Sequence, residues 1–175
     1  MRFVDMTADV GAPAKLMVLD HLAHGINLRD EPQVLVSPYV EIMDQLVRAR
    51  FTGHPNANAY FVGGGAYTLP RAWKDRWPGW GLTVSEIDPA VTQAVGREFW
   101  VDTAGMEVLT RDARWALQNM TPERRFEVVV GDAFHDISIP PHLVTEEFLS
   151  TVKGRLTADG VYLMNIVDSA PTTRC

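Results

Sequence analysis

A glycine turn between two apolar segments constrains the fold more than any other feature of this 175-residue sequence. The first apolar segment, 59–62, runs directly into three glycines, 63–65, and a second segment, 82–84, is closely followed by Glu86. Glycines after a buried strand let the backbone approach a ligand closely, because no Cβ stands in the way. A carboxylate roughly 20 residues further on, at the end of the next strand, is typical of nucleoside sites in parallel sheets. The sequence therefore predicts that the chain binds an adenosyl compound.

Strands and helices alternate from residue 59 onward. The predicted strands are the apolar segments 59–62, 82–84, 106–109, 126–130 and 161–166, and the predicted helices lie between them at 69–77, 89–100, 113–120 and 143–156. Parallel strands joined by helical crossovers form a sheet that is covered on both faces. The chain is therefore predicted to be an α/β protein with a Rossmann-like, mostly parallel sheet and helices on both faces.

The beginning of the chain has a different pattern. Residues 1–33 contain short apolar groups broken by glycine, proline and aspartate, which predicts a small segment of antiparallel strands. Ser37 and Pro38 then begin an amphipathic helix that ends near Gly53. Its predicted apolar face consists of Tyr39, Ile42, Met43, Leu46, Val47 and Phe51. We therefore predict an N-terminal β segment, 1–33, followed by a Rossmann-like nucleoside-binding catalytic domain, 34–175.

Acidic residues follow the predicted strands at the place where a parallel sheet binds its ligands, outside the carboxyl ends of the strands. Glu86 is placed to accept strong, charge-assisted hydrogen bonds from both hydroxyls of a ribose, with Ile87 beside it at the cofactor. Asp112 is placed to accept a hydrogen bond from an adenine amino group, while Ala113 lines the base. Each acid also fits a purely structural role, as a solvated charge for Glu86 and as a helix N-cap for Asp112.

Asp132 emerges from the apolar segment 126–130 and is the candidate catalytic base. A free alkylamine has a pKa of about 10, so it is cationic at neutral pH and attacks only after losing a proton. A carboxylate in the cleft attracts such a cation and accepts that proton, although a turn or cap residue is the structural alternative. Asp136 lies close behind, and we predict that Asp136 and His24 bind the substrate. No metal site is predicted, because the histidines lack a zinc-ligand pattern.

Charge and cysteine content narrow the classes of partner and compartment. Sixteen basic and 22 acidic side chains give a net charge of −6, which argues against nucleic-acid binding and suits a cationic small molecule. The single cysteine, Cys175, excludes an internal disulfide and favours a reducing, cytoplasmic setting. No apolar run is long enough to span a bilayer, so no membrane contact is predicted for this chain.

The order and spacing of these motifs resemble the polyamine aminopropyltransferase (spermidine synthase) family, in particular the spermidine synthase-like domains of bacteria. The resemblance covers most of the chain and is carried by Leu19-Asp20, His24, Pro38-Tyr39, Val62-Gly63-Gly64-Gly65, Val84 to Pro89, Asp112-Ala113-Arg114, Phe126 to Asp132 and Thr145 to Phe148. It implies a class I methyltransferase-like fold behind a small β-domain.

The resemblance also implies a reaction. The family transfers an aminopropyl group from decarboxylated S-adenosylmethionine to a polyamine such as putrescine, by direct displacement and without a metal. In that reaction Asp132 is the base and Tyr39 helps to orient the attacking amine. Glu86 holds the ribose, and Asp112 and Ala113 hold the adenine. Relatives commonly dimerise, so a homodimer is expected.

Two departures from the family pattern leave other functions open. The acid that usually follows the glycine triplet, and that holds the amino group of the donor, is replaced by Ala66. The sequence also stops soon after its fifth predicted strand, which predicts a fragment or a shortened relative. One alternative is therefore an enzyme that uses ordinary S-adenosylmethionine, because losing that acid removes the repulsion of a donor carboxylate. The other alternative is a non-catalytic module that binds an adenosyl ligand.

Overall fold

The computed structural model describes residues 1–19, 21–134 and 138–167 of the chain. The strands in these residues are β1 (Arg2–Asp5), β2 (Ala14–Leu19), β3 (Leu22–Leu28), β4 (Asn58–Val62), β5 (Gly81–Ser85), β6 (Met106–Leu109), β7 (Phe126–Gly131) and β8 (Leu156–Met164). The helices are α1 (Thr7–Val10), α2 (Pro38–Phe51), α3 (Thr68–Arg76), α4 (Pro89–Glu98), α5 (Ala113–Asn119) and α6 (Glu146–Arg155), with a turn of 3₁₀ helix at Pro141–Leu143. Within the described ranges, no helix has both the length and the apolar character that crossing a membrane requires.

Five strands form one parallel sheet in the order β6-β5-β4-β7-β8. Residues of β4 alternate between the two faces, so that Ala59 and Phe61 pack towards α2, α3 and α4, whereas Tyr60 and Val62 pack towards α5 and α6. Chain order reverses beside β4, because β5 pairs with one of its edges and β7 with the other. Such a reversal opens a crevice at the carboxyl ends of the strands, where α/β sheets bind ligands. The predicted fold class is confirmed.

The N-terminal strands form a separate antiparallel sheet in the order β1-β2-β3, with the short helix α1 between β1 and β2. Buried polar side chains attach this sheet to the larger one. The Asn27 side chain in β3 donates to the carbonyl oxygens of Ala66 and Phe99, at 3.3 Å each. The Arg71 guanidinium in α3 donates to the carbonyl oxygens of Leu28, Arg29 and Trp100. These bonds fix β3 against the loop that follows β4, while the division into segments at residue 33 stays a prediction.

Helix α2 buries only part of the predicted apolar face, together with two residues that the prediction did not include, Val40 and Asp44. Ile42 and Leu46 are 58% and 53% exposed, whereas the buried residues are Val40, Met43, Asp44, Val47 and Phe51. The difference arises because Asp44 faces inward: its carboxylate accepts a hydrogen bond from Trp73 Nε1 at 2.8 Å and pairs with Arg76 of α3. A buried carboxylate with two donors turns the helix away from the purely apolar pattern.

The last helix and strand also begin at residues that differ from the prediction. Helix α6 begins at Glu146 rather than at 143, because Thr145 is its N-cap and accepts a hydrogen bond from the backbone N–H of Phe148 at 3.2 Å. Strand β8 begins at Leu156 rather than at 161, and Leu156 pairs with Phe126 before the register shifts. The apolar residues 161–164 therefore form only the second half of a longer strand.

Candidate functional site

A cavity of about 420 Å³ lies at the carboxyl ends of β4, β5 and β7. It brings together eight of the residues that were predicted for the site: His24, Gly63, Gly65, Glu86, Ile87, Asp112, Ala113 and Asp132. Gly64 and Tyr39 line a small neighbouring cavity that also touches Asp132. The predicted substrate contact Asp136 lies outside the described residues. The acidic strand ends therefore converge on one cavity, as the sequence predicted, while the role of each residue stays a prediction.

The glycine turn is held in a shape that suits only glycine at two positions. Gly63 and Gly65 have φ values of +93° and +49°, in the left-handed region that residues with a Cβ rarely adopt. Gly63 also lies so close to the loop after β7 that a Cβ there would be 3.0 Å from the Cα of Ala133. The turn therefore brings bare backbone to the wall of the cavity.

Glu86 has a structural task that the sequence pattern did not reveal. One carboxylate oxygen, Oε2, accepts hydrogen bonds from the backbone N–H groups of Gly64 and Gly65 at 3.0 and 3.2 Å. The other, Oε1, accepts from the N–H of Asp88 at 2.9 Å, and the residue is 8% exposed. A carboxylate offers about four acceptor positions, so the three N–H groups leave about one position, on Oε1, with which Glu86 can accept from a ribose hydroxyl. The interpretation of Glu86 as a solvated charge is wrong.

Asp112 also lines the cavity and has two partners. Its Oδ1 accepts a hydrogen bond from the N–H of Trp115 at 2.8 Å, so Asp112 is the N-cap of α5. Its Oδ2 lies 2.7 Å from Nε2 of His142, which also lines the cavity. Arg114 holds this wall in place by donating to the His142 carbonyl oxygen at 3.0 Å. The N-cap role is confirmed, and the adenine role stays a prediction.

Asp132 is held by hydrogen bonds from two sides. Tyr39 Oη donates to Oδ2 at 3.2 Å, and Asn165 Nδ2 donates to Oδ1 at 2.9 Å. Burial raises the pKa of Asp132 to about 6, against the effect of these two hydrogen bonds, which favour the charged form and lower it. Burial and the neighbouring Asp132 in turn raise the pKa of Tyr39, which keeps its hydroxyl protonated as a donor. Asp132 is therefore ionised at neutral pH, but only by a narrow margin.

A second cavity, of about 230 Å³, meets the first one at Asp132. Its lining includes Tyr39 and Asn165, and the two cavities share His24, Gly65, Asp132 and Phe134. One ligand on each side of Asp132 would therefore place two reacting groups next to the same carboxylate. Within the described part of the chain, no group of three or more histidine, cysteine or acidic residues is arranged to hold a metal ion.

The sheet order, the glycine turn and the carboxylate after the next strand define a Rossmann-like domain of the class I methyltransferase type. A solved structure of a probable spermidine synthase from Corynebacterium glutamicum has this fold, with a TM-score of 0.81 and 24% identity, over 89% of this chain and 57% of that one. A spermidine synthase in complex with the transition state analogue AdoDATO superimposes with a TM-score of 0.58 and 21% identity, over 85% of this chain and 47% of that one.

Two curated proteins are also similar to this chain in sequence. The chain is 33% identical over 113 residues to a probable polyamine aminopropyl transferase from Bifidobacterium longum, covering 63% of this chain and 24% of the relative. It is 32% identical over 106 residues to a polyamine aminopropyltransferase from Vibrio vulnificus, covering 59% of this chain and 36% of the relative. No family model matches the sequence. The predicted resemblance to the polyamine aminopropyltransferase family is confirmed. The chain spans about a quarter to a third of the length of these relatives.

Proposed function

We propose that this chain is the nucleoside-binding and catalytic part of a transferase that moves an alkyl group from an adenosyl sulfonium compound to an amine. The observation that supports this most strongly is the position of Asp132, a partly buried carboxylate with a pKa of about 6 at the junction of two cavities. The relatives named polyamine aminopropyltransferases favour an aminopropyl group as cargo and a polyamine such as putrescine as acceptor. Decarboxylated S-adenosylmethionine is then the donor.

In the proposed reaction the larger cavity binds the nucleoside. Glu86 accepts from a ribose hydroxyl, Ile87 and the glycine turn lie along the sugar, and Asp112 and Ala113 bind the adenine. These groups fix the sulfonium so that its adjacent carbon faces the second cavity, where His24 lies beside the acceptor amine. Fixing both partners in line supplies much of the rate acceleration of such a displacement.

Asp132 and Tyr39 act on the attacking amine. The cationic amine is attracted to the Asp132 carboxylate, which takes one of its protons. Tyr39 orients the amine through Oδ2 of Asp132, the oxygen to which the Tyr39 hydroxyl donates. The nitrogen lone pair then forms a bond to the carbon next to the sulfonium, the carbon–sulfur bond breaks, and its electron pair neutralises the sulfur. The products are the alkylated amine and methylthioadenosine, and the proton remains on Asp132 until solvent removes it. No step requires a metal.

A second donor is favoured by one specific observation. Ala66 directly follows the glycine turn, is 4% exposed and carries no charge, so it repels no carboxylate on the donor. Ordinary S-adenosylmethionine, and with it methyl transfer, is therefore the alternative to the decarboxylated donor. The predicted cytoplasmic location, the homodimer and the absence of nucleic-acid partners stay predictions.

An assay of methylthioadenosine formation tests the proposed function. The purified protein, in its full-length form, is incubated with decarboxylated S-adenosylmethionine and putrescine, and in parallel with ordinary S-adenosylmethionine and the same amine. We expect methylthioadenosine that depends on both the decarboxylated donor and the amine. S-adenosylhomocysteine formed from the ordinary donor would instead support methyl transfer. A folded protein that binds methylthioadenosine but turns over neither donor would contradict catalysis and support a binding module.

A further inference from the structure

The small cavity that Gly64 and Tyr39 line has a volume of about 20 Å³ and lies beneath the glycine turn, beside the candidate base. Four residues with polar side chains contribute to its lining: His24, Tyr39, Thr68 and Asp132. This volume exceeds the 10–15 Å³ or so that one water molecule requires, and a buried water needs two to four polar partners. The cavity therefore has both the size and the polar lining of a site for one water molecule.

Thr68 is the residue of this cavity whose side chain lacks a hydrogen-bond partner. It is 8% exposed, and its Oγ1 is the one fully buried side-chain oxygen or nitrogen in the described residues that has no hydrogen-bond partner. Thr68 is also the first residue of α3, so no preceding turn of the helix offers the carbonyl oxygen that a threonine inside a helix uses. Backbone covers the hydroxyl from the other side, where a Cβ on Gly25 would lie 2.7 Å from Oγ1.

A buried hydroxyl without a partner is costly, because it has given up its hydrogen bonds to water on folding. Native proteins meet this cost with ordered internal water wherever a polar cavity allows it. We propose that the cavity beneath the glycine turn holds one bound water molecule that hydrogen-bonds to Thr68 Oγ1 and to the Tyr39–Asp132 pair. The water gives the Asp132 carboxylate a partner in addition to Tyr39 and Asn165. This site does not depend on which reaction the protein catalyses.

Replacing Thr68 by valine tests the water site, because valine has the same shape as threonine without the hydroxyl. If Oγ1 binds a water, Thr68→Val removes one of the water's partners, and we expect the melting temperature to fall by about 2–4 °C. Thr83→Val is the matched control, since Thr83 is also buried and its hydroxyl is hydrogen-bonded to Arg124 and Glu107. Both variants should therefore shift the melting temperature in the same direction. A crystal structure of the unaltered protein should also contain a water peak within hydrogen-bond distance of Thr68 Oγ1.

The opposite results would overturn the water site. A hydroxyl with no partner destabilises the folded protein, so its removal in Thr68→Val would raise the melting temperature while Thr83→Val still lowers it. A cavity without electron density, in a crystal structure that resolves ordered water elsewhere in the interior, would overturn it equally. Both readouts are independent of turnover, so they keep their meaning if the transferase activity is not found.

Discussion

Replacing Asp132 by asparagine is expected to lower the turnover number by about 10²–10⁴-fold, the usual contribution of a general base. Asparagine keeps the size of the side chain and can still accept from Tyr39, but it cannot take a proton from the amine. The proposed nucleoside contacts follow other strands, so the dissociation constant of methylthioadenosine should stay within a few-fold of its original value. Initial rates of methylthioadenosine formation and calorimetric titration measure the two quantities.

The pH dependence of the unaltered protein should follow the same carboxylate. Since the pKa of Asp132 is raised to about 6, turnover should fall as the pH is lowered through about 6, where the base becomes protonated. The contribution of Asp132 to stability should move in the opposite direction: a raised carboxyl pKa means that the folded state binds more protons, so this contribution to the free energy of unfolding declines as the pH rises from 4 to 6. Asp132→Asn should remove up to about 3 kcal/mol of this decline.

A matched substitution separates the role of Asp132 from a general effect of charge. Asp159→Asn changes the same residue type at a side chain that is 91% exposed, and it should leave turnover and its pH profile unchanged. If Asp132→Asn retains turnover within a few-fold of the unaltered protein, Asp132 is not the base, and the aspartate is then a turn residue.

Replacing Glu86 by glutamine should weaken nucleoside binding by about 10- to 100-fold, because hydrogen bonds to a charged acceptor are worth about 1.5–3 kcal/mol. An amide offers one acceptor oxygen where the carboxylate offers two, so some of the three N–H groups on Glu86 also lose their partner. We therefore expect the free energy of unfolding to fall by about 1–3 kcal/mol as well. Titration with methylthioadenosine well below the melting temperature keeps the binding effect apart from the stability effect.

Glu98→Gln is the control for Glu86, because its side chain is 58% exposed and lies outside the cavity. It should change neither the affinity for the nucleoside nor the melting temperature by a measurable amount. Should folded Glu86→Gln bind methylthioadenosine as tightly as the unaltered protein, Glu86 serves only the glycine turn, and the ribose lies elsewhere.

The parallel sheet and the position of its acids could be predicted because both depend on local patterns. The glycine turn is visible as three consecutive glycines after an apolar strand; Glu86 and Asp132 come directly after such strands, and Asp112 is the third residue after one. The carboxyl ends of parallel strands meet at one edge, so strand-end acids converge whatever the details of packing. Tyr39, in contrast, lies 93 residues from Asp132, and only the resemblance to a family pointed to it.

The partners of the acids depend on register and on helix rotation, which local patterns do not reveal. Asn165 reaches Asp132 because Gly131 pairs with Met164 at the ends of β7 and β8, so the residues that directly follow the two strands are neighbours. No periodicity in the sequence encodes that register. Asp44 was missed for a related reason: the sequence does not show that Trp73 and Arg76 are at hand to satisfy a buried carboxylate. His142 lies next to Asp112 because of the conformation of the turn that begins at Pro140 and Pro141, which no local pattern in the sequence predicts.

A crystal structure of the protein with methylthioadenosine would decide whether the acidic strand ends form a nucleoside site. We predict that a ribose hydroxyl lies within hydrogen-bond distance of Glu86 Oε1, that the purine lies against Ala113 with its amino group towards Asp112, and that the sulfur faces Asp132. A ligand bound with its ribose away from Glu86, or no ligand in this cavity at saturating concentration, would contradict the account.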